Sequence, residues 1–184
     1  GHLKKAIREA GLDSRDAALC TRLCFGVLQN RRLLDYYIGK FSSVKPEKLE
    51  ERVLQALRLG VYQMRFLTRI PPSAAVNESV NLARKYARNP RAAGLVNGVL
   101  RSIDWAGEEL TPPEDPAVRY SHPDWLAEEF TALLGREGAE ALMAADNGEP
   151  PITAQVNTCR TTAAALTAAL TEQGVKAEPH PWLP

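Results

Sequence analysis

Apolar residues recur at every third or fourth position through the first 104 residues, which is the spacing that puts side chains on one face of an α-helix. Gly11, Ser42-Ser43, Pro71-Pro72 and Asn89-Pro90 interrupt this pattern, and each is typical of a helix end or a turn. The pattern therefore predicts an all-α region with helices over 3–11, 13–30, 31–41, 46–67, 73–88 and 89–103.

The segment 46–67 is expected to be the central helix of this region. Its apolar row contains the small residues Ala56 and Gly60, which allow a neighbouring helix to approach closely. Pro46 suits the first turn of this helix, and Asp13, Ser73 and Asn89-Pro90 are the expected starts of other helices.

The pattern changes after residue 104. Residues 105–120 are rich in proline and acids and are predicted to be a linker, and helices are predicted over 123–134 and 137–146, with Ser121 and Asp124 as a capping box. Residues 152–158 then alternate as in a β-strand, 161–173 is helical up to Gly174, and 175–178 is a second short strand. The predicted fold class is mainly α, a helical bundle followed by a small βαβ segment.

Charge is distributed unevenly along the chain. Residues 1–110 hold 19 basic and 11 acidic residues, a net of +8, whereas 111–184 hold 4 and 11, a net of −7. From Arg52 to Arg101 there are nine lysines and arginines and a single acid, Glu78. Positive charge concentrated on folded helices indicates a polyanionic partner, since a surface that is only solvated mixes the two signs.

Three sets of basic residues are the candidate RNA-binding residues. The first is Arg84, Lys85, Arg88 and Arg91 around the Asn89-Pro90 turn; the second is Arg65 and Arg69 beside the Pro-Pro connector; the third is Arg31 and Arg32. Such side chains contact phosphates and position RNA without reading its sequence. Tyr62 and Tyr86 are able to stack on bases, but we expect them to pack in the core with a hydroxyl at its edge.

Several segments resemble a known family. RDAALCTRLCFGVLQNRRLLDYYI (15–38), LRLGVYQMRFLTRIPPSAAVNESVNLARKY (57–86) and AAGLVNGVLRSI (92–103) resemble the NusB-like RNA-binding domain at the amino end of Sun/Fmu-type 16S rRNA cytosine-C5 methyltransferases. RYSHPDWLAEEF (119–130), PPITAQVNTCRT (150–161) and GVKAEPHPWLP (174–184) are similar to the part of those enzymes that follows.

The resemblance implies a NusB-like domain over 3–104, a linker over 105–120, and a connector with part of an α/β module over 121–184. It also implies 16S ribosomal RNA as the partner, with a catalytic domain in cis that uses S-adenosylmethionine and is expected beyond residue 184. A further family helix is expected before residue 3. The chain by itself is expected to be inactive, and no membrane or DNA partner is expected.

The cysteines do not change this interpretation. Thr158-Cys159 is one of the two catalytic dipeptides of that family, but it follows a predicted strand before the expected catalytic domain, and we interpret it as incidental. Cys20 and Cys24 share a helix face without further ligands, which favours core packing over metal binding. We therefore expect no catalytic residue and no metal, and a reducing cytoplasm as the location.

Two other functions remain open. The chain is compatible with a stand-alone antitermination factor of the NusB kind, although such factors end near the last bundle helix. It is also compatible with a helical module that binds proteins without touching RNA.

Overall fold

The computed structural model describes residues 1–148 and 152–180, and helices dominate it. The helices are α1 (His2–Glu9), α2 (Ser14–Gln29), α3 (Arg31–Phe41), α4 (Glu51–Phe66), α5 (Pro72–Tyr86), α6 (Ala92–Ala106), α7 (Pro116–Arg119), α8 (Asp124–Asp146) and α9 (Ala163–Glu172), with 3-10 turns at Pro46–Lys48 and Gly107–Glu109. No described helix is long and apolar enough to cross a membrane.

The predicted helices of the bundle are present, but only some of their predicted ends are confirmed. The expected start at Asn89-Pro90 was wrong, because α6 begins at Ala92 and its first turn has no side-chain cap. Asp13 caps α2 by accepting the N–H of Asp16 at 2.8 Å, and Gly11 has φ +64°, a conformation that favours glycine after a helix end. The start of α4 is later than expected, because Pro46 begins a 3-10 turn and α4 itself begins at Glu51. The expected cap by Ser73 was wrong, since Pro72 is the first residue of α5 and no side chain caps that end.

Helices α4, α5 and α6 pack on one another and form the main core, with α2 and α3 against α4. Leu34, Ile38, Leu57, Val96 and Leu100 are fully buried there. The predicted close contact at Gly60 is confirmed, since a Cβ at that position would lie 2.6 Å from Leu100 Cδ1 and 2.8 Å from Ser79 Oγ. The absence of a side chain at Gly60 is therefore what lets α5 and α6 approach α4.

The segment predicted to be a linker packs against the helices before it. Helix α6 continues to Ala106, Leu110 joins the main core, and α7 contacts α3. Helix α8 packs on α7 around Ala117, Ala127 and Met143. Gly135 interrupts α8 with φ +70°, so the two helices predicted over 123–134 and 137–146 are present as two arms of one bent helix.

Residues 120–124 attach α8 to α3. The Oγ of Ser121 accepts the N–H of Leu33 at 3.1 Å in the first turn of α3, where backbone donors have no intrahelical partner. Ser121 therefore caps α3 rather than α8, and the predicted capping box of Ser121 and Asp124 was wrong because α8 has no side-chain cap. The serine adopts φ +58° to reach this position.

Gly1–Asn147 forms one compact unit and Gly148–Pro184 a second. In the second unit α9 is capped by Thr162, whose Oγ1 accepts the N–H of Ala165 at 3.2 Å. The strands expected over 152–158 and 175–178 are not formed among the residues that the structure describes. Ile152 is fully exposed and Val175 half-exposed, so these alternating segments lack the neighbouring strand that stabilises a sheet.

Candidate nucleic-acid interface

The first candidate set lies at the turn between α5 and α6, and we call Arg84, Lys85, Arg88 and Arg91 the α5–α6 cluster. Helix α5 ends at Tyr86, and the backbone N–H of Arg88, just past that end, donates to both carboxylate oxygens of Glu50 at 3.0 and 3.1 Å. Asn89 Oδ1 accepts the N–H of Arg91 at 2.9 Å just before α6. These bonds fix the backbone from which the cationic side chains extend.

All four side chains of the α5–α6 cluster are exposed, and none forms an ion pair with another described residue. Arg84 donates to Asn81 Oδ1 at 3.1 Å, and the ammonium of Lys85 lies 5.1 Å from the ring centre of Tyr86. Part of their role is to stabilise the carboxyl end of α5, where positive charge is favourable. Four unpaired cations in eight residues exceed what that role requires.

One further cation, Arg52, lies beside the cluster although it is distant in sequence. Arg52 at the start of α4 donates from Nη1 to the carbonyl oxygen of Tyr86 at 2.9 Å. This contact arises because the short Pro-Pro connector makes α4 and α5 antiparallel, so the first turn of α4 lies beside the last turn of α5. Arg52 is one of the nine basic residues between 52 and 101, but it is in none of the three candidate sets, because its place beside the cluster depends on how α4 and α5 pack.

The second candidate set lies at the other end of these helices. Arg65, in the last turn of α4, donates to the carbonyl oxygen of Gly107 at 3.2 Å, and Gly107 follows the last turn of α6. Arg69 is exposed in the connector to α5. Since α5 has 15 residues, a helix length of about 22 Å separates this pair from the α5–α6 cluster. The structure does not bring the first two sets together.

The third candidate set is divided by its contacts. Arg31 is exposed, whereas Arg32 donates to the carbonyl oxygen of His122 and, at 2.7 Å, to Asp124 Oδ1. The guanidinium of Arg32 therefore has a structural role, because it joins α3 to the start of α8. This role competes with the RNA contact that was expected for Arg32. His122 is itself held by Asp146 at 3.6 Å, an ion pair when the imidazole is protonated.

No metal-binding cluster is found among the described residues. They contain no group of three or more His, Cys, Asp or Glu side chains placed to hold a metal ion. Neither the groove between α4 and α5 nor the groove beside α3 is lined by a glycine, the residue type that opens the cofactor-binding turns of dinucleotide-binding folds. These residues do not fit S-adenosylmethionine, and we assign none of them to it.

None of the three cysteines belongs to the candidate sets. Cys159 is exposed, and its N–H donates to Asn157 Oδ1 at 3.1 Å. Cys20 and Cys24 are half-buried on α2, and burial together with the neighbouring Cys20 thiol raises the pKa of Cys24. A raised pKa disfavours the thiolate that nucleophilic catalysis requires.

This geometry defines an α-helical bundle domain. The turn between its helices α5 and α6 carries basic side chains that have no ion-pair partner among the described residues. Residues 2–104 match the NusB family, and the chain belongs to that family. Residues 122–184 match the family described as "Methyltr_RsmF/B-like, ferredoxin-like domain".

Three curated relatives extend these matches. The chain is 37% identical over 181 residues to the probable ribosomal RNA small subunit methyltransferase B of Bacillus subtilis, covering 96% of this chain and 40% of the relative. It is 39% identical over 169 residues to ribosomal RNA small subunit methyltransferase B of Pseudomonas putida, covering 90% and 38%. The Escherichia coli O139:H28 protein of that name is 34% identical over 170 residues, covering 92% and 39%. The chain thus spans about two fifths of the length of these relatives.

Proposed function

We propose that this chain is the RNA-recognising portion of an S-adenosylmethionine-dependent methyltransferase that modifies a cytosine at C5 in 16S ribosomal RNA in the cytoplasm. The observation that carries the proposal is the α5–α6 cluster, four exposed cations without ion-pair partners among the described residues. The names of the relatives supply the ribosomal RNA and the methyl transfer.

In this proposal the chain binds the ribose-phosphate backbone of the RNA, and a catalytic domain in cis transfers the methyl group. Each phosphate neutralised by lysine or arginine releases condensed counterions, which favours binding at low salt. Such contacts fix the orientation of the RNA and leave base selection to other groups. The methyl donor supplies the group that is transferred, and no residue of this chain is given a catalytic role.

The match over 122–184 supports this proposal over a stand-alone antitermination factor, because a methyltransferase-associated module follows the bundle. For that module we propose that 152–158 and 175–178 become strands on either side of α9 when further strands are present to pair with them. The division into 3–104, 105–120 and 121–184 also remains a proposal, with the middle segment packed on the bundle.

The test is RNA binding by a variant in which Arg84, Lys85, Arg88 and Arg91 are all changed to Gln. Affinity for a fragment of 16S ribosomal RNA is measured by fluorescence anisotropy from about 50 to about 200 mM salt. We expect the dependence of log K on log salt to become shallower by up to about 3 if four single-strand phosphate contacts are lost. Thermal stability should remain close to that of the unmodified protein because the four side chains are exposed.

A matched control changes the exposed cations Arg15, Arg22, Lys45 and Lys48 to Gln, which alters the net charge by the same amount. Binding should survive in the control. Equal losses in the two variants would mean that overall charge and not the α5–α6 cluster determines binding, and unchanged binding in both would refute RNA contact through this surface.

A further inference from the structure

An apolar groove of about 330 Å³ lies between α4 and α5 next to the α5–α6 cluster. Its aliphatic lining residues, which we call the floor, are Ala56, Leu59 and Leu82. Tyr86 also lines the groove, together with the polar residues Glu51, Arg52 and Gln55. The volume is at the low end of the roughly 300–1,000 Å³ of small-molecule sites in proteins. The groove therefore has room for a flat ring.

The position of Tyr86 differs from the core location expected for it. Tyr62 is 6% exposed and packs in the main core, as expected, whereas Tyr86 is 46% exposed. The ring of Tyr86 is therefore accessible in the groove instead of being enclosed by the core. Leu82 is also partly exposed in the same groove.

Polar groups surround the apolar floor at its rim. Arg52 is held there by its hydrogen bond to the carbonyl oxygen of Tyr86. Gln55 donates from its amide nitrogen to Glu51, which leaves the amide oxygen as an acceptor at the edge of the groove. An apolar floor with a few polar groups at the rim suits a ring with apolar faces and a polar edge.

Positive charge continues directly from the groove. Lys85 immediately precedes Tyr86 and Arg88 lies two residues after it; the ammonium of Lys85 is close to the ring of Tyr86 without lining the groove. A nucleotide whose base lies against Tyr86 therefore has cations within reach of its phosphate. This charge complementarity favours a nucleic acid over an apolar protein segment as the occupant.

We propose that the groove between α4 and α5 binds one unstacked base of single-stranded RNA, with Tyr86 as the stacking surface and Leu59 and Leu82 beneath it. The inference rests on the proposed RNA binding and adds to it a base contact that phosphate-binding residues do not supply. Stacking on an aromatic side chain accepts any base, so the site adds affinity for unpaired RNA more than sequence preference.

The experiment compares oligo(A) of about 12 nucleotides, which is within the usual range of single-strand site sizes, with an abasic ribose-phosphate chain of the same length. Tyr86→Ala should weaken binding of oligo(A) about 5- to 100-fold and leave the slope of the salt dependence unchanged. Binding of the abasic chain should be unaffected. Tyr86→Phe keeps the ring and should bind oligo(A) like the unmodified protein.

Two more variants keep the test decisive. Leu82→Gln makes the floor polar and should also weaken oligo(A) selectively, which covers the case in which Tyr86→Ala fails to fold. Trp125→Ala removes a ring that is 65% exposed on α8, a helix that packs on α7, and should change nothing.

The outcomes separate this inference from the proposed function. If Tyr86→Ala and Leu82→Gln bind oligo(A) normally while the Gln variant of the α5–α6 cluster loses affinity, RNA binding stands and the base site is refuted. If the unmodified protein binds the abasic chain as tightly as oligo(A), the base site is likewise refuted. If no variant loses affinity, both fail.

Discussion

The guanidinium of Arg58 and the carboxylate of Asp35 form a two-pronged ion pair, with Nε 2.7 Å from Oδ1 and Nη2 2.8 Å from Oδ2. Arg58 is only 9% exposed, so this pair joins α4 to α3 inside the bundle. Arg58 is one of the nine basic residues between 52 and 101, yet it is not available to a phosphate. Arginine therefore has a structural role at this position, whereas at exposed positions its side chain is available for binding.

Removing the acid of this pair should destabilise the protein strongly. We expect Asp35→Ala to lower the free energy of unfolding by about 2–4 kcal/mol, because the guanidinium of Arg58 is left buried without its counter-charge. Urea denaturation followed by circular dichroism measures the change. Lys5→Ala, which breaks the exposed ion pair with Glu9, is the control and should cost at most about 0.5 kcal/mol. Similar losses in the two variants would contradict a structural role for Arg58.

Gly60 should not tolerate a methyl group. Its Cβ would lie 2.6 Å from Leu100 Cδ1 and 2.8 Å from Ser79 Oγ, so Gly60→Ala is expected to destabilise by about 1–3 kcal/mol despite the better helix propensity of alanine. Gly98→Ala on α6 has open space around the new methyl group and should stabilise by about 0.5–1 kcal/mol. The midpoint of thermal unfolding should move in opposite directions, and a gain for both would mean that α5 and α6 can shift away from α4.

Two substitutions at Ser121 should differ in size. Ser121→Ala removes the acceptor of the Leu33 N–H and keeps a Cβ at φ +58°, so we expect a loss of about 1–2 kcal/mol in the free energy of unfolding. Ser121→Gly removes the same acceptor but suits the positive φ, and its loss should be smaller. Denaturant titrations of both variants measure the difference. Equal losses would show that the serine is not strained in this conformation.

The thiol of Cys24 should react slowly with iodoacetamide. Burial raises its pKa, so at a given pH a smaller fraction is thiolate, and the pH of half-maximal alkylation rate should lie above the ordinary value of about 8.5. Mass spectrometry of peptides follows each cysteine separately, with the exposed Cys159 as the faster internal comparison. In urea the rate at Cys24 should rise to that of Cys159; slow reaction that persists in urea would rule out burial as the cause.

The helices were predictable because their signals are local. The apolar rows, Asp13, Gly11 and the two prolines at 71 and 72 determine where helices begin and end without help from distant residues. The strands over 152–158 and 175–178 were not predictable in the same way, since a strand depends on a neighbour for its hydrogen bonds. The prolines and acids of residues 105–120 predict a linker, but Leu110 is buried in the main core and Ala117 is buried against α8.

The candidate site was predictable only in part, because charge in the sequence does not reveal pairing in space. The cations of the α5–α6 cluster are adjacent along the chain and were found together, whereas the role of Arg58 depends on Asp35, 23 residues away. The exposure of Tyr86 depends on how closely α4 and α5 pack at their ends. No periodicity in the sequence distinguishes it from the buried Tyr62.

The neighbours Arg31 and Arg32 provide a direct test of this distinction between structural and available cations. Arg32→Gln should lower the free energy of unfolding by about 1 kcal/mol, because it loses the bonds to the carbonyl oxygen of His122 and to the largely exposed Asp124 carboxylate. Arg31→Gln, at an exposed position with no ion pair to a described residue, should leave stability unchanged. Denaturant titration measures both effects, and RNA affinity is then compared at a temperature where both variants are folded. We expect Arg31→Gln to weaken RNA binding and Arg32→Gln to leave it unchanged, since only the guanidinium of Arg31 is available. A loss of affinity confined to Arg32→Gln would show that the contact with α8 opens when RNA binds.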